Sequence, residues 1–349
     1  MNMLNLHIDA ADTLFFRDGR PFTMGEDTSV ESASFPPLPS VVYGALRSAY
    51  LAQNAHLFDL NKLIELSNDL RIKNIALRTS GDSTFYTMPK DLVVPKNQKN
   101  AKRLSFSFGS NFISSSVTQQ FLFNNASEKI KDDEFIVLDS ALNDYLKGSE
   151  TNINAYPLKD YLCTETKLGI GRNNGTRTST DGLLYRIGMV RPHTSKSSIG
   201  IEVSFENLEI NGSSLFQLGG EKKIAFSKII DASKRINLPD LGSNSFKIYL
   251  ATPAIFKSGW KPEDILEKYN LELLTAAIGK PINVGGWDIK TQKPKPMLKA
   301  IPAGSVYYVK AESIEAAKNA AKQIFEQCSI SEFADSAQQG FGIAFIGKI

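Results

Sequence analysis

The chain has 349 residues, 42% hydrophobic and 22% charged, and a net charge of +3. These values exclude a disordered or fibrous chain, and no apolar run is long enough to span a bilayer. So small a net charge cannot drive nucleic-acid binding by itself, so any such role must rest on a local patch.

Leu4, Leu6 and Ile8 alternate with Asn5, His7 and Asp9, the period-two pattern of a strand with one buried face. That reading turns His7 away from the core. Between Thr13 and Arg47 comes a compact turn with Arg17 and Arg20, in which Asp18-Gly19 suits a positive φ and Pro21 fixes the exit. Two arginines on so short a turn form a phosphate fork. The clamp Phe35-Pro36-Pro37-Leu38-Pro39-Ser40 ends on Ser40, read as the N-cap of a helix to Gln53. Val42, Ala45, Leu46 and Ala49 form its core stripe, with Tyr43, Arg47 and Tyr50 on a second stripe and Gly44 leaving room for close approach. A helix start near Arg17, Arg20 and Arg47 is a candidate anion site; the alternative is a capped helix with solvated arginines.

Strands are expected over 71–79 and 84–94. Residues 96–156 turn rich in Asn, Ser and Lys, which reads as an insertion that packs locally or docks on a partner, with a short helix near 139–147. Its basic run 96–103 fits either a nucleic-acid finger or a solvated loop. Residues 167–196 carry Lys167, Arg172, Arg177, Arg186, Arg191 and Lys196 against Asp181 alone, a local +5 that leaves −2 for the rest of the chain. Asn173, Thr176 and Thr178 lie among these arginines, and Tyr185 restarts a strand. Such a loop can wrap a phosphodiester backbone, so this segment is the main candidate nucleic-acid contact.

Further strands are expected over 200–206, 224–230, 246–255 and 341–349, and an amphipathic helix from Ser313 carries Ile314, Ala317, Ala321, Ile324 and Phe325. Each half shows a strand, a helical element, middle strands and a glycine turn before a last strand. The fold class is therefore α+β, with tandem ferredoxin-like (RRM-like) βαββαβ units over 1–240 and 241–349, the first with a large insertion at about 96–198. Gly340 and Gly342, in the last glycine turn, are read as letting RNA or a neighbouring protein approach the backbone.

Several stretches carry a family resemblance. Asp12-Thr13-Leu14-Phe15-Phe16-Arg17-Asp18-Gly19-Arg20-Pro21-Phe22, the clamp 35–40, and Gly44-Ala45-Leu46-Arg47 resemble the RAMP superfamily of CRISPR proteins. They are most similar to the subunit of type III-B (Cmr) effector complexes that holds the 5′ end of the guide RNA. Glu165, the 167–186 segment, Val284-Gly-Gly-Trp-Asp288 and 300–308 continue the likeness. Where that family often has an acid a few residues after the tyrosine, this chain has Gly188 and Met189. The resemblance implies an RNA-binding subunit that reads the repeat-derived 5′ tag of the guide RNA (crRNA). Its implied partners are the large polymerase-like subunit and the backbone RAMP subunit.

Catalytic signals are few. His7, His56 and His193 are isolated, and there is no P-loop or G-x-S-x-G. No enzyme activity, metal site or cofactor is expected. The alternative is a metal-independent endoribonuclease processing guide-RNA precursors, with His7 and His193 as acid and base and Arg191 stabilising charge. A third reading is an assembly scaffold without RNA contact, against which the one-sided charge argues. Cys163 and Cys328 are far apart with no CxxC, and the first residues lack a signal-peptide pattern, so a cytoplasmic protein is expected.

Overall fold

The computed structural model describes residues 3–16, 35–54, 65, 67–108, 120–124, 128–149, 153–193, 198–210, 214–231, 236–288 and 292–349. Four strands form the centre of the first sheet, in the spatial order Arg71–Thr79, Ile199–Glu206, Leu4–Ala10 and Ile224–Ile229, all antiparallel. Numbered along a βαββαβ unit this is 2-3-1-4, with helix Pro39–Gln53 as the first crossover. The second sheet repeats the order with Glu272–Ala277, Val306–Lys310, Ser245–Leu250 and Ala344–Lys348, crossed by helices Glu263–Lys268 and Ile314–Gln327. The chain is α+β with two ferredoxin-like units, as its sequence pattern indicates. Strand Ser214–Gln217 lies at the sheet edge, in the stretch where the first unit's second helix would fall.

Local signals explain most elements. Ser313 caps its helix, accepting the Ala316 N–H at 3.1 Å, and Ala317, Ala320, Ala321 and Ile324 fill the buried stripe. Ile314, expected in that stripe, is 48% exposed as the first residue of the helix. The final strand is shorter than expected, starting at Ala344, because the glycine turn with Gly340 and Gly342 at positive φ runs through the residues before it.

The insertion starts earlier than its composition indicates. It leaves directly after Arg71–Thr79 and returns at Ile199–Glu206, and its strands Thr84–Thr87, Phe135–Leu138 and Tyr156–Pro157 lengthen the first sheet to eight strands. The expected strand 84–94 breaks in two at Pro89, which has no N–H for a ladder and whose carbonyl accepts from Leu92 at 3.0 Å. The basic run at 96–103 is neither finger nor loop at its end: Asn100–Arg103 pairs with Leu92–Val93 on one side and Ile153–Asn154 on the other.

The insertion covers the helix-free face of the second sheet. Tyr249, Val306, Tyr308 and Phe345 on that face join the main core, with Tyr86 edge-on to Phe345 at 5.5 Å. At the junction lies a buried polar cluster. Asp91, fully buried, accepts from the Tyr145 hydroxyl at 2.8 and 2.7 Å and from the Tyr308 hydroxyl. Lys247, also fully buried, sits 3.3 Å from the Tyr145 ring centroid. Burial pushes its ammonium down to about 7, while Asp91 pulls it back up and Arg103 adds to the depression.

Candidate nucleic-acid interface

The opening stretch after the first strand organises one end of the molecule. Leu14 and Val190 exchange backbone hydrogen bonds at 2.7 and 2.9 Å, tying this stretch to the base of a long hairpin, Leu162–Arg172 against Ser179–Pro192. Lys223 donates to Thr13 at 2.7 Å, and the Gly220 N–H donates to the Phe15 carbonyl at 2.8 Å. The second unit repeats that last contact, with Gly342 N–H donating to the Pro253 carbonyl at 2.7 Å. Each glycine turn therefore clasps the segment that follows its unit's first strand.

Beyond this base the hairpin runs free of the sheets, and its charges divide into two groups. Lys167 pairs with Glu221 at 3.1 Å, and Arg191 pairs with Asp12 at 2.7 Å and with Glu165. The Arg191 hydrogen bond holds the Glu165 carboxyl below the usual carboxylate range. These two cations brace the hairpin base and are less available to a phosphate. Arg172, Arg177 and Arg186 are exposed and have no ion pair among the described residues. All three belong to the distal half.

The tip is an ordered turn. Asn173 Oδ1 accepts the N–H groups of Gly175 and Thr176 at 2.8 and 3.2 Å, and the Thr176 and Thr178 hydroxyls share a hydrogen bond of 2.8 Å. Arg177 takes φ of 59°, a left-handed conformation that costs a non-glycine residue about 1 kcal/mol. Asn173, Thr176 and Thr178 thus shape the loop that presents the arginines. Tyr185 stands opposite Gly169 in the ladder.

One feature of this hairpin escaped the sequence reading. Leu168, Ile170 and Leu184 are 60%, 60% and 52% exposed, and the register puts Leu168 beside Arg186 and Ile170 beside Leu184 on one face. Apolar side chains interleaved with unpaired arginines suit unstacked bases joined by phosphates. The signal was present as period-two alternation, but the same alternation marks a buried strand face.

The helix start is less open than expected. Its N-cap is Leu38, Pro39 has no N–H, and the Val41 and Val42 amides both bond to the Leu38 carbonyl, at 2.9 and 3.4 Å. Ser40 is therefore the second helical residue and makes no cap. Arg47 is turned inward: its Nε donates to Ser67 Oγ at 2.9 Å and its guanidinium lies 5.7 Å from the Tyr43 ring centroid. Gly44 does face open space, with nothing within 4 Å of an added Cβ. Arg17, Arg20 and Lys196 lie outside the described residues.

Two other expectations change. Gly340 and Gly342 are buried, and the close approach they allow is internal, to Ile72 and Ser331. His7 is 1% exposed rather than solvated, because its strand is covered on both faces; it sits 3.3 Å from Asp9 and opposite Glu202. Burial lowers its basicity. The sheet face where an RRM stacks bases here carries Asn5, His7, Asp9, Ser204 and Glu202, and none of these five is a Phe, Tyr or Trp.

A tandem pair of ferredoxin-like units, the first bearing a long arginine-tipped hairpin, is the build of a RAMP-like CRISPR protein. The chain belongs to the family of CRISPR-associated proteins described as Cas_Cmr3, whose family model matches residues 6–349. Its structure resembles a chain of the type III-B Cmr-beta complex bound to cognate target RNA and AMPPnP, with 17% identity, a TM-score of 0.50 and coverage of 87% of this chain and 86% of that one. A second Cmr-beta chain, from a complex bound to cognate target RNA, has 17% identity, the same coverage and a TM-score of 0.49. A chain of the Csm3–Csm4 subcomplex of a type III-A interference complex has 14% identity, coverage of 89% and 93%, and a TM-score of 0.37. No curated protein matches the sequence. Among the described residues no helix is long and apolar enough to cross a membrane.

Proposed function

We propose that this chain is the non-catalytic, RNA-binding subunit of a cytoplasmic type III-B interference complex. In this reading it holds the 5′ tag of the guide RNA and contacts the large polymerase-like subunit and the backbone RAMP subunit. The observation that carries the reading is the distal half of the hairpin, where Arg172, Arg177 and Arg186, without an ion pair among the described residues, stand beside Leu168, Ile170 and Leu184. Guanidinium groups hold phosphates bidentately and the apolar side chains contact base faces, so binding needs no bond-breaking chemistry. The ribonuclease alternative would use His7 and His193 as acid and base, but the His7 imidazole is 1% exposed beside Asp9, which makes it a poor proton donor or acceptor for a ribose hydroxyl. Family membership and the fold are consistent with the reading.

The test is a titration of labelled repeat-containing RNA at several salt concentrations. Arg172→Ala with Arg177→Ala is expected to weaken binding and to reduce the salt slope by about 1.4, from roughly 0.7 per lost phosphate contact on a single strand. RNA recovered from the wild-type titration should be uncut. An unchanged slope in the double variant would sink the assignment.

A further inference from the structure

The second unit has its own projection at the equivalent point of the fold. In the first unit the long hairpin lies between the second and third strands of the βαββαβ order; in the second unit residues 278–305 lie there. The described residues among them form two short ladders, Ile282–Val284 with Leu298–Ala300 and Trp287–Asp288 with Lys293–Pro294. The root is fixed. Val284 and Ala300 pack with Ile255 and Phe341, and Leu38, Ile282 and Leu298 close over them. Gly304, at φ of 82°, lies so close to the first unit that a Cβ would meet the Met88 carbonyl at 2.5 Å.

The exposed side of this projection has a different chemistry. Trp287 is 60% exposed and Met297 51% exposed. Lys280, Lys293, Lys295 and Lys299 are exposed and have no ion pair among the described residues, and Asp288 is the one acid in the sequence from 280 to 300. Trp287 stands opposite Pro294, and the Lys295 N–H donates to the Gly286 carbonyl at 2.9 Å, so the indole rides on a tied strand rather than a loose loop. An exposed tryptophan by itself fits a protein partner as well as a base. Four lysines on and beside the same hairpin, without an ion pair among the described residues, favour a polyanion. Stacking needs an unpaired base, which points to a single strand rather than a duplex.

We propose that residues 282–288 and 292–300 form a second single-stranded RNA contact, with Trp287 stacking on a base and Lys293, Lys295 and Lys299 holding the flanking phosphates. The inference rests on the RNA-binding reading above and adds a site to it. The chain then grips RNA at two hairpins, one on each unit.

The full chain is titrated with fluorescein-labelled oligouridylate of about 20 nucleotides, in wild type, Trp287→Ala, Trp287→Phe and the Arg172→Ala/Arg177→Ala variant. Trp287→Ala should weaken binding about tenfold, the scale of one lost base stack, while Trp287→Phe keeps most of the affinity. In a Trp260→Phe background, where Trp287 is the remaining tryptophan, RNA should quench its emission. Unchanged affinity in Trp287→Ala, with weakened binding in the arginine variant, would overturn this proposal and leave the first hairpin's role standing. Loss of complex assembly without loss of RNA affinity would overturn it in favour of a protein-docking surface. No RNA binding by any form, wild type included, would overturn both readings.

Discussion

Asp91→Ala is expected to destabilise the chain by about 3–5 kcal/mol, among the largest single-site losses available to it. The carboxylate is fully buried and holds the Tyr145 and Tyr308 hydroxyls, which come from the insertion and from the second unit. Removing it strands two buried hydroxyls at about 1–3 kcal/mol each and takes away the nearest charge favouring the Lys247 ammonium. Lys247→Met separates the two contributions. In the wild type the folded lysine loses its proton near 7, whereas an unfolded lysine holds its proton to about 10.4, so this group makes stability rise with pH across that window. Lys247→Met should remove that rise and leave stability at pH 7 equal or higher, since methionine fills the volume without a charge. Urea unfolding of both variants at pH 7 and pH 9.5 checks the pair. An Asp91→Ala loss below about 1 kcal/mol would mean that the cluster is not what joins the insertion to the second unit.

The same substitution at two glycines should act in opposite directions. Gly342 has φ of 73°, and a Cβ there would lie 2.5 Å from the Ser331 backbone nitrogen. Alanine must adopt a left-handed conformation and also push backbone aside, so Gly342→Ala is expected to cost about 3 kcal/mol or more. Gly44 is helical with nothing within 4 Å of an added Cβ, so Gly44→Ala should gain up to about 1 kcal/mol. Thermal melts of the two variants read this directly. A neutral Gly342→Ala would mean that the turn relaxes and that its backbone is open after all.

Much of this fold could be read from sequence where the signal is local. Period-two alternation marked the strand Leu4–Ala10, Ser313 marked its helix, and the glycine turns marked the entry to each last strand. The tandem layout followed from those repeats. What stayed hidden was set by distant residues. His7 alternates like a solvent-facing residue, and burial of both faces of its strand is decided by chain far away. Lys167 and Arg191 looked as available as Arg172, yet they are paired by Glu221 and Asp12, acids 54 and 179 positions away in sequence. The insertion's true start was masked because adding strands to a sheet edge leaves no mark in composition. Gly340 and Gly342 show the same limit: sequence told that the backbone must be bare there, but not whether the neighbour was RNA or Ile72 and Ser331.

The central claim is that the distal half of the first hairpin lies on the guide RNA's 5′ tag. A photo-crosslinking residue placed at Thr176, exposed at the tip between Arg172 and Arg177, tests it in the assembled complex. After irradiation the guide RNA is recovered and the modified nucleotide is mapped by primer extension. The account predicts crosslinks confined to the repeat-derived 5′ tag, reduced when Arg172 and Arg177 are both alanine. Crosslinks to protein subunits alone, or to guide nucleotides outside the tag, would contradict it.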